Sequence, residues 1–182
     1  MTCQFSKELI EEVIHFHGHN CPGLSIGIRA AEYALQEFEK SNDEDLVCIT
    51  ETDMCAVDGI QYLTQCTFGK GNLVHLDYGK AAFSFFDRNS GKTIRLVLRP
   101  DAKEGEGGQA ADRSEMIRIL MEKPLSALFH LTRLEERPPR RARILTSIPC
   151  SSCGEETMES RTRRFDGRTL CIPCFEEVEQ KM

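Results

Sequence analysis

Two Cys-x2-Cys pairs near the end of the sequence constrain the fold of this chain more than any other feature. Cys150 and Cys153 form the first pair, Cys171 and Cys174 form the second, and 17 residues lie between the pairs. Zinc binds four thiolates in a tetrahedron, and two such turns that face each other across a hairpin supply all four. The pattern predicts a closed, structural zinc site in a treble-clef or zinc-ribbon module, and two redox dithiols are the weaker alternative. So short a module has little apolar core, and we therefore expect its folding to depend on the metal.

The total cysteine content favours reduced thiols over disulfides. Nine of the 182 residues are cysteine, an odd number, and this share lies below the roughly 8–10 % that is typical of disulfide-built domains. The first residues contain an early glutamate and no apolar stretch of the kind found in secretory signals. No apolar run approaches the length of a membrane span. We therefore expect a cytoplasmic protein, without membrane contact, that keeps its thiols for metal binding or redox chemistry.

Proline and charge divide the chain into two parts. Pro138 and Pro139 lie among four arginines in residues 137–143, a composition that favours an exposed linker. We expect the boundary there, with an α+β core domain at 1–136 and a zinc-finger domain at 137–182. The core holds 14 Lys and Arg against 22 Asp and Glu, and the zinc-finger domain holds 9 against 7. Because the core is acidic, broad contact of that part with nucleic acid is disfavoured.

The apolar spacing of the core predicts an antiparallel meander sheet packed with helices. Ser6 is expected to cap a first helix that Gly18 ends, and Pro22 is expected to begin a second helix. Alternating apolar residues separated by turn residues predict four strands. Helices on both sides of such a meander in the sequence indicate an α+β fold. The predicted strands are 46–52, 73–76, 81–86 and 93–98, and the other predicted helices are 58–65, 113–122 and 125–134.

The stretch FHGHNCPGL at 16–24 is the most informative part of the core. It places His17, His19 and Cys21 within five residues, between the end of one predicted helix and the start of the next. Either histidine can share a metal with the cysteine, and a helix start favours the thiolate that metal binding requires. A helix cap with a buried structural histidine is the alternative. Three ligand-type residues around a glycine and a proline favour a metal or reactive site.

Two further stretches supply candidate partners for this site. Cys55 lies near the start of a predicted helix, and Asp53 or Asp58 is placed to orient a ligand histidine or to accept a proton. Lys70 lies between two glycines in a tight loop whose backbone N–H groups suit an anion, and a plain hairpin turn is the alternative. The loop lacks the spacing of a Walker motif, so nucleotide hydrolysis is not supported.

Together these stretches resemble the FmdE family of formylmethanofuran dehydrogenase proteins. The resemblance rests on FHGHNCPGL at 16–24, CAVDGIQ at 55–61, TQCTFGKGNL at 64–73 and DYGK at 77–80. It implies an α+β core, a homodimer, and a metal-binding active site made from the His/Cys motif and Cys55. Many members carry a C-terminal zinc module, and the family name implies association with a molybdenum or tungsten enzyme of C1 metabolism. Gln65 departs from the family pattern, in which a small residue, often glycine, precedes Cys66, and this leaves the helix end and the role of Cys66 open.

Three functions remain open at this point. In the first, His17, His19, Cys21 and Cys55 hold zinc or iron with one position open and support redox or C1 chemistry. Cys21, Cys55 and Asp58 would then be catalytic, with Lys70 as the anchor of an anionic group, either in this chain alone or as an accessory to a larger enzyme.

The second function is regulatory, and the third is purely structural. A regulatory protein would bind nucleic acid or RNA polymerase through its zinc module and arginine-rich linker, while the core senses a metal or ligand. A module with a net charge of only +2 has a weak electrostatic footprint for that role. In a structural protein both metals would be staples, and Cys21→Ser or Cys55→Ser would unfold the core.

Overall fold

The chain forms two compact units, Met1–Arg141 and Ala142–Met182. A computed structural model describes residues 3–38, 45–105, 112–135 and 138–179. The domain boundary predicted at residues 136 and 137 lies outside these described residues. Within the described ranges, none of the helices combines the length and the apolar character that crossing a bilayer requires.

The first unit is a mixture of helices and one five-stranded sheet, so the predicted α+β class is confirmed. Its first helix begins after Ser6, whose side chain accepts the N–H of Leu9, and ends at Gly18, which adopts a left-handed conformation with φ of 90°. The helices are α1 (Lys7–His17), α2 (Pro22–Glu37), α3 (Ala56–Thr64), α4 (Arg113–Glu122) and α5 (Leu125–Leu128). The strands are β1 (Leu46–Thr50), β2 (Leu73–His75), β3 (Ala82–Asp87), β4 (Thr93–Leu98) and β5 (Phe129–Arg133).

The strand order β2-β1-β3-β4-β5 departs from the predicted meander at one edge. Strand β1 pairs with β3 in antiparallel fashion, but it pairs with β2 in parallel, with Ile49 opposite Val74. Parallel neighbours need a long crossover between them, and α3 supplies that crossover here. Because α3 returns the chain to the same end of the sheet, the strand after it cannot continue a hairpin meander.

The helix predicted at 125–134 is wrong beyond its first turn. Only Leu125–Leu128 are helical, and the next five residues form the edge strand β5, which pairs with β4. Phe129 is buried and His130 is exposed, which is the alternation of a strand that covers one face of a core. Pairing with the open edge of β4 decides the structure here over local helical spacing, a preference that the isolated sequence does not contain.

Helix α2 forms the centre of the core. Its apolar side chains, among them Ile26, Ala30 and Ala34, pack in one buried cluster with Phe83 and Phe85 of β3. Arg29 on the same helix is also buried, and its guanidinium pairs with Glu32 at 2.8 Å and donates to the carbonyl of Lys123 at 2.8 Å. This buried pair therefore ties the C-terminal end of α4 to α2, and a buried pair of this kind is costly to break.

Gln65, the departure from the family pattern, lies at the end of α3 in a left-handed conformation with φ of 60°. Glycine adopts this conformation without steric cost, which explains why a small residue suits the position. The Gln65 side-chain amide donates to the carbonyl of Tyr62 at 2.6 Å and satisfies one free acceptor at the helix end. The helix therefore ends where the family pattern would end it.

The second unit is a pair of short hairpins followed by a helix. Its elements are β6 (Ser147–Pro149), β7 (Glu156–Met158), β8 (Thr162–Phe165), β9 (Arg168–Cys171) and α6 (Ile172–Val178). Asp166 and Gly167 both have positive φ and form the tight turn between β8 and β9, as the sequence predicts. The single strand predicted at 157–164 is wrong, because a turn of 3-10 helix at Glu159–Arg161 divides it.

Candidate metal centres

Four metal-ligating side chains of the core converge on one point. Ligand atoms of His17, His19, Cys21 and Cys55 all lie within 4.8 Å of one another. Two imidazole nitrogens and two sulfurs at this spacing suit a single zinc or iron ion. The structure thus brings together the whole ligand set that the sequence predicts, and their role as ligands stays a prediction.

The first three ligands are held by a tight link between α1 and α2. His17 is the last residue of α1, and Gly18 then reverses the chain in its left-handed conformation. Cys21 caps α2, because its sulfur accepts the N–H of Leu24 at 3.3 Å. One helix end and the next helix start therefore fix His17 and Cys21 from opposite sides, with the Cys21 sulfur 3.8 Å from His17 Nε2.

Cys55 reaches the site because α3 lies unusually close to α2. A Cβ atom on Gly23 would lie 3.1 Å from the Cβ of Cys55, and one on Gly27 would lie only 2.0 Å from the carbonyl oxygen of Ala56. Only glycine fits backbones that approach so closely. The glycines of α2 thereby place the start of α3 against the start of α2, and the two cysteines come together.

Asp58 locks one of the two imidazoles. Its carboxylate lies 2.7 Å from His17 Nδ1, and the His17 side chain is only 8 % exposed. A metal-ligating histidine characteristically donates its second nitrogen to a carboxylate in this way, which fixes the tautomer and leaves Nε2 for the metal. Asp53, the other predicted candidate, is exposed, and the structure brings Asp58 to the imidazole instead.

Replacing Asp58 with alanine is expected to lower the metal affinity of the core site by about 10–100-fold, the usual cost of losing such a carboxylate. Competition of the purified protein with a chromophoric zinc chelator measures this affinity. Asp53→Ala is the matched control, because it removes a carboxylate from the same stretch without a contact to His17. Equal zinc affinities of the two variants would refute the orienting role of Asp58.

His19 is held less firmly than His17. Its side chain is exposed, its ring centroid lies 4.4 Å from that of His17, and the described residues offer it no hydrogen bond. Burial, together with the hydrogen bond and the charge of Cys21, raises the pKa of Cys55. A dication would favour both thiolates and offset this unfavourable pairing of two sulfurs.

A cavity of about 630 Å³ opens beside the cluster. His19, Cys21 and Cys55 line it, and its volume falls in the range that is typical of sites for small organic molecules. Apolar side chains form much of the remaining wall, and two cations, Lys103 and Arg113, also face it. The sequence prediction missed both cations, because neither lies in a recognisable motif and both are distant in sequence from the His/Cys stretch.

Lys70 and Cys66 lie away from this cavity. Lys70 is in the turn after the C-terminal end of α3, whereas Cys55 is at the N-terminal end of that helix, and Lys70 is not among the described residues that line the cavity. Cys66 is buried in the core, and its thiol donates to the carbonyl of Leu46 at 3.4 Å. Burial raises the pKa of both Cys66 and Cys48, so these thiols are ordinary core side chains.

The second unit carries a separate cluster of four cysteines. The ligand sulfurs of Cys150, Cys153, Cys171 and Cys174 lie within 4.8 Å of one another. The first pair lies in the turn between β6 and β7, and the second pair lies at the start of α6. A hairpin turn that faces a helix start is the arrangement that the sequence predicts for a treble clef, and four sulfurs fill a tetrahedral site.

The backbone of this unit prepares Cys150 to bind a cation. The backbone N–H groups of Cys171, Cys153 and Ser152 point at its sulfur and lower the pKa of Cys150 to about 6. The neighbouring sulfur of Cys171 and burial instead raise the pKa of Cys174 to about 12. Four sulfurs this close cannot all be thiolates without a cation, so the cluster fits zinc.

Comparison with known proteins agrees with this division. Residues 16–130, more than half of the chain, match the family described as "FmdE, Molybdenum formylmethanofuran dehydrogenase operon". The chain belongs to the FmdE family. Residues 143–180 match the prokaryotic dksA/traR C4-type zinc finger, so the chain combines an FmdE core with a C4 zinc finger. The resemblance that the sequence motifs indicate is therefore confirmed.

Two individual proteins extend the FmdE match. An FmdE-like protein of tungsten formylmethanofuran dehydrogenase from Syntrophus aciditrophicus has a crystal structure similar to this chain, with a TM-score of 0.74, 24 % identity, and coverage of 98 % of this chain and 97 % of that one. A "Probable S-adenosyl-L-methionine-binding protein" of Archaeoglobus fulgidus is 29 % identical over 192 aligned residues, which cover 87 % of this chain. The FmdE chain spans about half the length of this archaeal relative, 50 %. The first likeness establishes the fold of the FmdE chain.

Proposed function

We propose that this FmdE-family chain is a metalloprotein whose core site holds zinc or iron and supports redox or C1 chemistry on a small molecule. The convergence of His17, His19, Cys21 and Cys55 beside a cavity is the observation that carries the proposal. A site that only stabilised the fold would have no need of an adjoining cavity. A bound zinc or iron ion would supply Lewis-acid or, for iron, redox chemistry at this position.

The side chains of the site have separate roles in this proposal. Asp58 holds the proton on His17 Nδ1 and so keeps Nε2 as the ligand atom. Cys21 and Cys55 are the anionic ligands that line the cavity. His19, which is exposed and lines the same cavity, is the ligand best placed to yield its position to a substrate. The anchoring role predicted for Lys70 passes to other cations, because Lys70 lies in a different turn.

The wider assignments follow from the family and remain part of the proposal. A cytoplasmic homodimer and an association with a molybdenum or tungsten enzyme are the partners that membership of the FmdE family suggests. The regulatory alternative, in which the zinc finger binds nucleic acid or RNA polymerase, is not favoured, because the metal-ligand cluster and its cavity lie in the core unit. The relative's name also raises S-adenosyl-L-methionine, but that molecule carries a net positive charge and both Lys103 and Arg113 are cations.

Metal analysis tests the proposal directly. The wild-type protein is expected to hold two metals per chain, and Cys55→Ala is expected to hold one while its thermal unfolding stays cooperative. Cys3→Ala is the control, because Cys3 is a cysteine of the same unit outside the cluster, and it is expected to keep two metals. One metal per chain in all three proteins would refute the core site, and unfolding of the core in Cys55→Ala would assign that metal a purely structural role.

A further inference from the structure

The cavity beside the core cluster has a charge opposite to that of the unit that contains it. Residues 1–136 carry a net charge of −8, with 22 acidic and 14 basic side chains. Lys103 and Arg113 nevertheless line the cavity, and no aspartate or glutamate is among the lining residues in the described part of the chain. A cavity that concentrates positive charge in an acidic unit attracts anions and repels cations.

The position of Arg113 connects this charge to the candidate metal site. Arg113 is the first residue of α4, and its Nη2 donates to the carbonyl of Asn20 at 3.0 Å. Asn20 lies between His19 and Cys21 in the chain, so the guanidinium is held against the loop that carries the ligands. The buried Arg29–Glu32 pair fixes the other end of α4. A guanidinium held in this way has donors left over and presents the planar fork that suits a carboxylate or phosphate.

The remaining wall favours an apolar body on the same molecule. Ile26, Phe83, Leu98 and Met116 line the cavity, and Phe83 is fully buried. A free inorganic anion would gain nothing from these side chains, whereas an organic molecule would bury apolar surface against them. In the described part of the chain, the Lys103 ammonium makes no hydrogen bond or ion pair, and its side chain is exposed.

We propose that Lys103 and Arg113 bind the anionic group of a small organic acid whose apolar body lies against Phe83 and Leu98. This inference rests on the proposed function, because the same cavity is lined by three of the four candidate metal ligands. It names the substrate class of the core site as organic anions. It also assigns the anchoring role to two residues that carry no motif.

A matched pair of probes tests the inference. Binding of 4-phenylbutyrate and of its neutral amide, 4-phenylbutyramide, is measured by calorimetry with the metal-loaded full chain. The carboxylate is expected to bind at least about tenfold more tightly than the amide, because a hydrogen bond to a charged group contributes more than one to a neutral group. Lys103→Met and Arg113→Lys are each expected to weaken carboxylate binding about fivefold or more and to leave amide binding unchanged.

The control variant is Lys92→Met, which removes one cation from an exposed turn of the same unit. It is expected to bind the carboxylate as the wild type does. Equal binding of the two probes, no binding of either, or carboxylate binding in Lys103→Met that matches Lys92→Met would overturn the inference. The metal content of the same samples separates the two proposals, since a chain that lacks the core metal and still prefers the carboxylate refutes the proposed function but not the anion site.

Discussion

Replacing Cys171 with serine is expected to unfold the C-terminal unit while the FmdE core keeps its fold. The buried apolar core of that unit consists of Cys150, Leu170 and Cys171, with only a few half-buried neighbours such as Phe175. Two of the three buried residues are metal ligands, so the zinc site and the hydrophobic core are nearly the same set of atoms. Zinc binding contributes roughly 10–16 kcal/mol to folding in small zinc fingers, far more than the apolar contacts of three side chains.

Amide NMR spectra of the full chain measure this effect unit by unit. The signals of residues 142–179 are expected to collapse to the narrow range of an unfolded chain in Cys171→Ser, and a strong chelator is expected to do the same to the wild type. Ser160→Ala is the control, because Ser160 is an exposed residue of the same unit that lies outside the cysteine cluster. Dispersed signals from the C-terminal unit after removal of zinc would contradict a fold that depends on metal.

The sequence predicts a metal site well when its ligands are close together in the chain. The pairs Cys150–Cys153 and Cys171–Cys174 each form one tight turn, so their spacing nearly determines their geometry. The same holds for His17, His19 and Cys21, which Gly18 and the α2 start hold together. Local backbone rules apply to such short stretches without knowledge of the rest of the molecule.

Contacts between distant parts of the chain limit what the sequence predicts. Asp53 and Asp58 are equal candidates by residue type, and only the packing of α3 against α1 and α2 brings Asp58 to His17. Lys70 has the composition of an anion site, yet α3 separates its turn from the cavity, and the cations there come from 103 and 113. The parallel placement of β2 and the short strand β5 depend on which sheet edge is free, and tertiary context overrides local preference at both positions.

The close contact between α2 and α3 is the part of the core on which the second site depends most. Three glycines form it, because Gly59 of α3 faces α2 as closely as Gly23 and Gly27 face α3: a Cβ on Gly59 would lie 3.0 Å from the backbone nitrogen of Ile28. The atoms that a Cβ would meet at Gly27 and Gly59 belong to the backbone, which cannot move aside as a flexible side chain can. Any enlargement at this contact must therefore separate the two helices.

Replacing Gly27 with alanine is accordingly expected to destabilise the core and to empty its metal site. Alanine is favoured over glycine in a helix by about 1 kcal/mol, so helix propensity alone predicts a gain in stability. A Cβ placed 2.0 Å from the Ala56 carbonyl oxygen costs more than this, since overpacking of a close contact typically costs about 1–3 kcal/mol and sometimes more. We expect a net loss in the free energy of unfolding, and we expect Cys55 to move away from Cys21 with α3.

Thermal unfolding and metal analysis of the same variant measure both effects. Gly27→Ala is expected to unfold at a lower temperature than the wild type and to hold one metal per chain, the zinc of the C-terminal unit. Gly69→Ala is the matched control, because a Cβ at Gly69 meets nothing within 4 Å, and it is expected to keep the wild-type stability and two metals. A Gly27→Ala protein that is as stable as the control and retains both metals would show that α3 can shift without losing the site. The proposed dependence of the metal centre on this glycine contact would then be wrong.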